Sequence, residues 1–328
     1  MESEAFKQVF LKYQTLINDR LSKIADSRQP QNLYQPIEYV LNSGGKRIRP
    51  ILLMLSCKAL DGDVDASLDA AVAVELLHNF TLVHDDMMDQ DDTRRGMPTV
   101  HKKWGSDIAL LTGDGLVSLA YQSLLRTRSK RIHEISKIFT DGIIELCEGQ
   151  ALDYDFEKRQ DVQLDDYLLM IGKKTARLLH ICATIGAIIG NGSDSQVQAL
   201  GNFGNNLGCA FQIQDDLLDI TSKQEILGKT HGSDIIRKKQ TYLVVYGLTH
   251  ADVATKHRLL DILENSNNHS ARITEIRDMF QHIGSIDAAN AAIENYITSA
   301  RANLDDLPST PGKGHLLDLL DYVATRQA

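Results

Sequence analysis

The sequence contains two matched sets of aspartates. The first is His84-Asp85-Asp86-Met87-Met88-Asp89, followed by Asp91, Asp92 and Arg94-Arg95-Gly96. The second is Phe211-Gln212-Ile213-Gln214-Asp215-Asp216-Leu217-Leu218-Asp219. On a helix, the first and last aspartate of each set are i and i+4, so their carboxylates share one face about a turn apart. Like charges at that spacing repel unless water solvates them or a divalent cation sits between them. Oxygen-only ligands suit Mg²⁺, which keeps several waters and completes its shell with substrate phosphates. A solvated acidic helix end is the plain alternative for either set alone. Two sets, each closing an apolar run, are harder to explain that way. Facing each other, they would hold a metal–diphosphate cluster.

Cations recur around these sets. Gly44-Gly45-Lys46-Arg47-Ile48-Arg49-Pro50 puts Lys46 and Arg49 at i and i+3 behind a Gly-Gly turn. Arg94-Arg95, Lys173-Lys174-Thr175, Gly228-Lys229 and Lys238-Lys239 add positive charge. Arginine meets phosphate oxygens in bidentate geometry, so the pattern suits two diphosphates. Any one basic pair alone reads as a surface ion-pair partner. His78 lies seven residues before Asp85, two helical turns, and so on the same face. An imidazole there can donate to a phosphate. His84 faces elsewhere and reads as packing.

Long helices must carry these residues. The prolines sit at 30, 36, 50, 98, 308 and 311, and proline breaks helix interiors. Leu68, Val72, Leu76 and Phe80 recur at four-residue steps, and Ile132, Ile135, Ile138 and Phe139 at threes and fours. From about Ala66 to Asp89 the chain is apolar on almost every side, as in a helix buried mid-bundle. Asn42-Ser-Gly-Gly, Asp61-Gly-Asp, Thr112-Gly-Asp-Gly, Gly190-Asn-Gly-Ser and Leu227-Gly-Lys are the expected loops or caps. No linker, composition shift or repeat marks a second domain. The expectation is an all-α protein, one large bundle of long helices around a deep cavity, with residues 1–328 as a single domain.

Bulk properties exclude several classes. A net charge of −9 argues against a nucleic-acid surface. No run of about 18 apolar residues predicts a membrane span, and the acidic start Met1-Glu-Ser-Glu-Ala is not a secretory signal. Cys57, Cys147, Cys182 and Cys209 form no CxxC pair and read as reduced thiols. The expected location is cytoplasmic.

The order of the motifs closely resembles the trans-prenyl diphosphate synthases, or polyprenyl synthetases. The matching blocks are Gly44-Gly-Lys-Arg-Ile-Arg-Pro, Glu75-Leu-Leu-His, Leu82-Val-His-Asp-Asp-Met-Met-Asp and Arg94-Arg-Gly-Met-Pro-Thr-Val-His. They continue with Gly113-Asp, Lys174-Thr-Ala, Phe211-Gln-Ile-Gln-Asp-Asp-Leu-Leu-Asp and Gly228-Lys…Gly232-Ser-Asp-Ile. They run from about residue 40 to 245; the last 80 or so residues add no motif.

The resemblance implies a set of roles. Asp85 and Asp89 would hold two Mg²⁺ ions and Asp215 a third, with Mn²⁺ as a substitute and Asp86 and Asp219 as further candidate ligands. Arg94, Lys174, Lys229 and Lys239 match positions that contact the allylic diphosphate. Lys46, Arg49, His78 and Arg95 match those that hold isopentenyl diphosphate. Thr175 and Gln212 match residues beside the allylic cation. Phe80, Thr81 and Leu77 would form the floor that limits chain length. One aromatic beside a small neighbour resembles the geranylgeranyl type, so C20 is expected, with C15 and C25 or longer as alternatives. The family forms dimers, which implies a homodimer. Three other readings compete: an HD-type phosphohydrolase on His84-Asp85, a class I terpene cyclase, and a non-catalytic partner subunit. The second DDxxD, the isopentenyl-site cations and the full complement of aspartates oppose them in turn.

Overall fold

The computed structural model describes residues 4–222, 232–264 and 269–325. Helices α1 (Glu4–Leu21), α2 (Gln31–Leu41), α3 (Ile48–Ala59) and α4 (Val64–Met88) come first. A two-residue hairpin follows, β1 (Thr93–Arg94) and β2 (Met97–Pro98), in which Thr93 pairs with Pro98 and Arg94 with Met97. Next are α5 (Val100–Trp104), α6 (Ser106–Leu124), α7 (Ile132–Phe156) and α8 (Leu164–Ile171). A π-helical turn, Gly172–Ala176, joins α8 to α9 (Arg177–Ile189), and α10 (Asp194–Thr221) follows. The chain finishes with α11 (Ser233–Ile236), α12 (Tyr242–His250), α13 (Val253–Glu264), α14 (His269–Ile283), α15 (Ser285–Ala302) and α16 (Pro311–Thr325). The all-α expectation is met.

Two compact units make up the chain. One contains Met1–Phe139, Cys182–Leu200 and Asp306–Asp318; the other contains Thr140–Ile181, Gly201–Asp305 and Leu319–Ala328. In the first, α4 is the central element and packs against α3 and α6. Asp63 starts it by accepting the Asp65 N–H at 3.0 Å, which satisfies one of the amides left open at a helix start. Ala70, Ala71, Ala73, Val74, Leu76 and Leu77 are all fully buried, so the helix is enclosed on several sides. Its length and mean hydropathy of 1.3 would suit a membrane span, but 67% of that window is already buried inside the protein. It is a core helix.

The sequence misplaces one break. Thr112-Gly113-Asp114-Gly115, expected as a loop, lies inside α6. A Cβ on Gly115 would come 3.0 Å from Ile37 Cδ1 and 3.1 Å from Leu33 Cδ1, and one on Gly113 would overlap the His84 ring. Both glycines serve close helix approach, not chain reversal. Pro36 also sits inside a helix, α2.

In the second unit, α12 packs against α15 and α8. Its core gathers Tyr167, Ile213, Leu243, Val245, Leu259, Ile276 and Phe280, each at most 1% exposed. Tyr167 meets Tyr242 edge-on at 5.8 Å between centroids.

Candidate active site

Each unit carries one half of the predicted chemistry. In the first, the acidic set occupies the C-terminal end of α4. Asp85 and Asp89 are partly exposed, and Asp89 caps the helix by donating its N–H to the Asp85 carbonyl at 2.8 Å. Asp86 lies about 100° further round the helix, is 5% exposed, and accepts Arg94 Nε at 2.5 Å. Burial pushes its carboxyl above the usual range, and Arg94 only partly opposes that. Asp86 therefore anchors Arg94.

The hairpin separates two adjacent arginines. Arg95 and Gly96 both have positive φ, 52° and 74°, as a tight two-residue hairpin turn with the twist of its strands requires. Arg94, in the strand, points at Asp86. Arg95, in the turn, donates to the Gly44 carbonyl and, at 3.2 Å, to Ser43 Oγ. One arginine serves the acidic set and its neighbour serves the Gly44–Arg47 loop.

That loop is held from within. Gly44, Gly45 and Arg47 have φ of 81°, 135° and 55°. Arg47, for which the motifs imply no role, is 4% exposed and donates to Glu75 Oε1 at 2.6 Å, the Leu41 carbonyl at 2.8 Å and Asn18 Oδ1 at 3.0 Å. Lys46 is left exposed beside it. Arg49 Nη1 lies 3.1 Å from His78 Nε2. Guanidinium only donates, so Nε2 accepts and the imidazole proton is on Nδ1. Burial, reinforced by Arg49, Arg95, Arg94 and Arg47, holds His78 well below the ordinary histidine range. It is a neutral ring. Of the residues expected to form a floor, Leu77 is fully buried and Phe80 and Thr81 are partly so. The Thr81 hydroxyl is tied to the His78 carbonyl at 2.8 Å.

In the second unit, Asp215 is partly exposed while Asp216 is 3% exposed. Asp216 accepts the Tyr167 hydroxyl at 2.7 Å, the Tyr242 N–H at 2.9 Å and Gln212 Nε2 at 2.9 Å. Burial raises it to about 6, with these bonds opposing. An ionised carboxylate only accepts, so it fixes the Gln212 amide with NH₂ inward and oxygen toward Thr175 Oγ1, 2.8 Å away. The Thr175 hydroxyl hydrogen is thereby committed to the Gln212 oxygen. Asp219 is fully buried, accepting Ser233 Oγ at 2.9 Å and the Asp234 N–H at 3.1 Å. It fastens the start of α11.

Asp153 is a site residue that the sequence did not reveal. It is 6% exposed, and its Oδ2 accepts both Lys174 Nζ at 2.6 Å and Lys239 Nζ at 2.9 Å. Burial alone would raise its carboxyl, but the two lysines more than offset that and hold it low. Lys239 also meets Glu157 at 2.6 Å. Lys229 lies outside the described residues.

The donor set fits Mg²⁺. Among the described residues no three His, Cys, Asp or Glu side chains gather as a ready-made site. An ion beside Asp85 and Asp89 would complete its shell with water and phosphate, as Mg²⁺ does.

Residues 30–280 match the polyprenyl synthetase family. The chain belongs to that family. It is a trans-prenyl diphosphate synthase, a class that generally uses Mg²⁺. This membership removes the phosphohydrolase and cyclase readings. It is 37% identical to a short chain isoprenyl diphosphate synthase of Methanothermobacter thermautotrophicus over 97% of this chain and 98% of that one. A geranylgeranyl diphosphate synthase of Methanosarcina mazei is 38% identical, covering 95% of each. The crystal structure of geranylgeranyl pyrophosphate synthetase from Pyrococcus horikoshii superposes with a TM-score of 0.93 at 36% identity, covering 98% of this chain and 100% of that chain.

Proposed function

We propose that this enzyme joins an allylic diphosphate head-to-tail to isopentenyl diphosphate and stops mainly at C20. The observation that carries it is the divergence of Arg94 and Arg95, which prepares two phosphate-binding positions side by side. Two diphosphate substrates need two such positions; a cyclase needs one. The C20 product follows the geranylgeranyl relatives and the single aromatic, Phe80, below the carboxylates.

In this reading Asp85, Asp89 and Asp215 hold three Mg²⁺ ions. When bound, these neutralise charge on the departing diphosphate. Arg94, Lys174, Lys229 and Lys239 bind the allylic diphosphate and stabilise it as the C–O bond breaks. Lys46, Arg49, Arg95 and neutral His78 hold isopentenyl diphosphate so that its double bond meets the allylic cation. The Thr175 hydroxyl and Gln212 oxygen face that cation. The released diphosphate takes the proton that restores the alkene, so no protein base is assigned. Apolar helix faces keep out water, which would quench the cation to an alcohol. Asp86 and Asp219 act mainly as anchors. We further propose that residues 1–328 act as one domain in a cytoplasmic homodimer. Light scattering should give twice the 36.5 kDa chain mass; a single-chain mass at micromolar concentration would exclude the dimer.

The direct assay incubates the purified protein with labelled isopentenyl diphosphate and allylic primers, with and without EDTA. Label should appear in a longer diphosphate, and EDTA should abolish it. No product with Mg²⁺ present would overturn the reading in favour of a non-catalytic subunit. Product formation undiminished by EDTA would overturn the metal assignment.

Two mutational outcomes follow. Lys46→Ala or Arg95→Ala should raise the KM for isopentenyl diphosphate roughly ten- to a hundredfold, the scale of one charge-assisted contact, with less effect on the primer. Arg94→Ala and Lys229→Ala should do the reverse, and equal effects on both substrates would mean the sites are divided wrongly. Phe80→Ala should lengthen the product by at least one five-carbon unit, because a helical turn descends 5.4 Å, comparable to that unit. An unchanged alcohol chain after dephosphorylation would make Phe80 ordinary packing.

A further inference from the structure

The function above leaves two sequence features without a role: His84, read as packing, and the Gly113-Asp block, which lies inside a helix. The structure puts them together. Phe80 and His84 are i and i+4 on α4, with ring centroids 4.8 Å apart and planes inclined at 64°. The far side of the imidazole lies against α6, where His84 Nε2 is 3.4 Å from the Leu110 carbonyl. A Cβ on Gly113 would fall far inside van der Waals contact with Nε2, and would lie 2.5 Å from Cδ2 and 2.8 Å from Cε1. Only glycine lets the ring lie there. The imidazole is therefore a spacer, set between a helix surface that fits it and the Phe80 ring.

We infer that His84 and Gly113 are positioning residues for product length, acting through Phe80. The inference rests on the reading of Phe80 as the floor. A floor ring is effective only while it cannot turn aside. On its C-terminal side, what meets the Phe80 ring is the His84 imidazole, and what fixes that imidazole is the bare Cα of Gly113. Without the imidazole, the ring has space to rotate, and the growing chain gains depth. A methyl at Gly113 displaces the imidazole from α6 and removes the same support. The two changes act on one contact, so their effects should not add.

The test is a cycle of His84→Ala, Gly113→Ala and the double variant, beside Phe80→Ala, with dephosphorylated products resolved by chromatography and folding followed by thermal melting. Product length is a readout that a merely structural role would leave unmoved. His84→Ala should shift the main product at least one five-carbon unit longer. Gly113→Ala should broaden the distribution toward longer chains, and the double variant should match His84→Ala alone. If Gly113→Ala does not fold, His84→Ala decides. Wild-type product lengths from His84→Ala, with Phe80→Ala lengthened, would overturn this inference and leave the floor intact. Unchanged lengths in Phe80→Ala would overturn the floor and this inference with it. Additive shifts in the double variant would also overturn it, by separating the two residues.

Discussion

Asp85→Ala and Asp215→Ala each lower turnover by about a hundredfold or more while leaving the melting temperature near that of the parent protein; this is the expected result. Both carboxylates are partly exposed at the ends of long buried helices. Removing either takes charge stabilisation from the departing diphosphate, and one such contact is worth on the order of 10²–10³ in rate. Asp86→Ala and Asp219→Ala should show the opposite balance. Asp219→Ala leaves Ser233 Oγ and the Asp234 N–H without their acceptor, which costs about 1–3 kcal/mol where the groups stay dry. Asp86→Ala frees Arg94 and should raise the KM for the primer. Kinetics and thermal melts on the same four proteins decide the matter. Turnover lost equally in all four, with stability intact, would make Asp86 and Asp219 ligands of equal standing.

Glu75→Ala should be the most destabilising change in the first unit. Glu75 and Arg47 are 3% and 2% exposed at their side chains and meet at 2.6 Å. Truncating one partner leaves a buried charge without its counter-ion, which costs about 3–5 kcal/mol. In a chain this large that lowers the melting temperature by roughly 4–7 °C. Replacing both residues by methionine should cost less than Glu75→Ala alone, because no charge is then stranded. Arg47 also shapes the loop that carries Lys46, so the single variant should lose affinity for isopentenyl diphosphate. A melting temperature within a degree or two of the parent would refute the role given to the pair.

The fold was legible because proline and glycine obey local rules. The proline-free stretch after Pro98 holds α7 and α10, of 25 and 28 residues. Gly113 and Gly115 were misread because glycine signals both a turn and a close helix approach, and only the neighbouring helix tells which. The site was legible where chemistry repeats at a fixed spacing, as in Asp85–Asp89. The inward turn of Asp86 follows from its place about 100° round the helix from Asp85. Arg47 could not be singled out from Lys46 and Arg49, because its positive φ breaks the helical spacing by which the three would be sorted. Asp153 sits 21 residues before Lys174 and 86 before Lys239, and no local pattern spans such gaps.

The π-helical turn at Gly172–Ala176 holds Lys174 and Thr175. Such a turn accommodates one residue more than an α-helix would need over the same rise. The segment from Leu164 to Ile189 therefore carries a built-in phase slip. Deleting one residue between Leu164 and Lys173 would not shorten a loop; it would let the turn relax to ordinary α-helix, with the flanking helices still in phase and the residues from the cut through the turn rotated by about 100°. The lysine and the threonine would keep their identities and lose their bearings. For this stretch, residue count is as much a determinant of the chemistry as residue type.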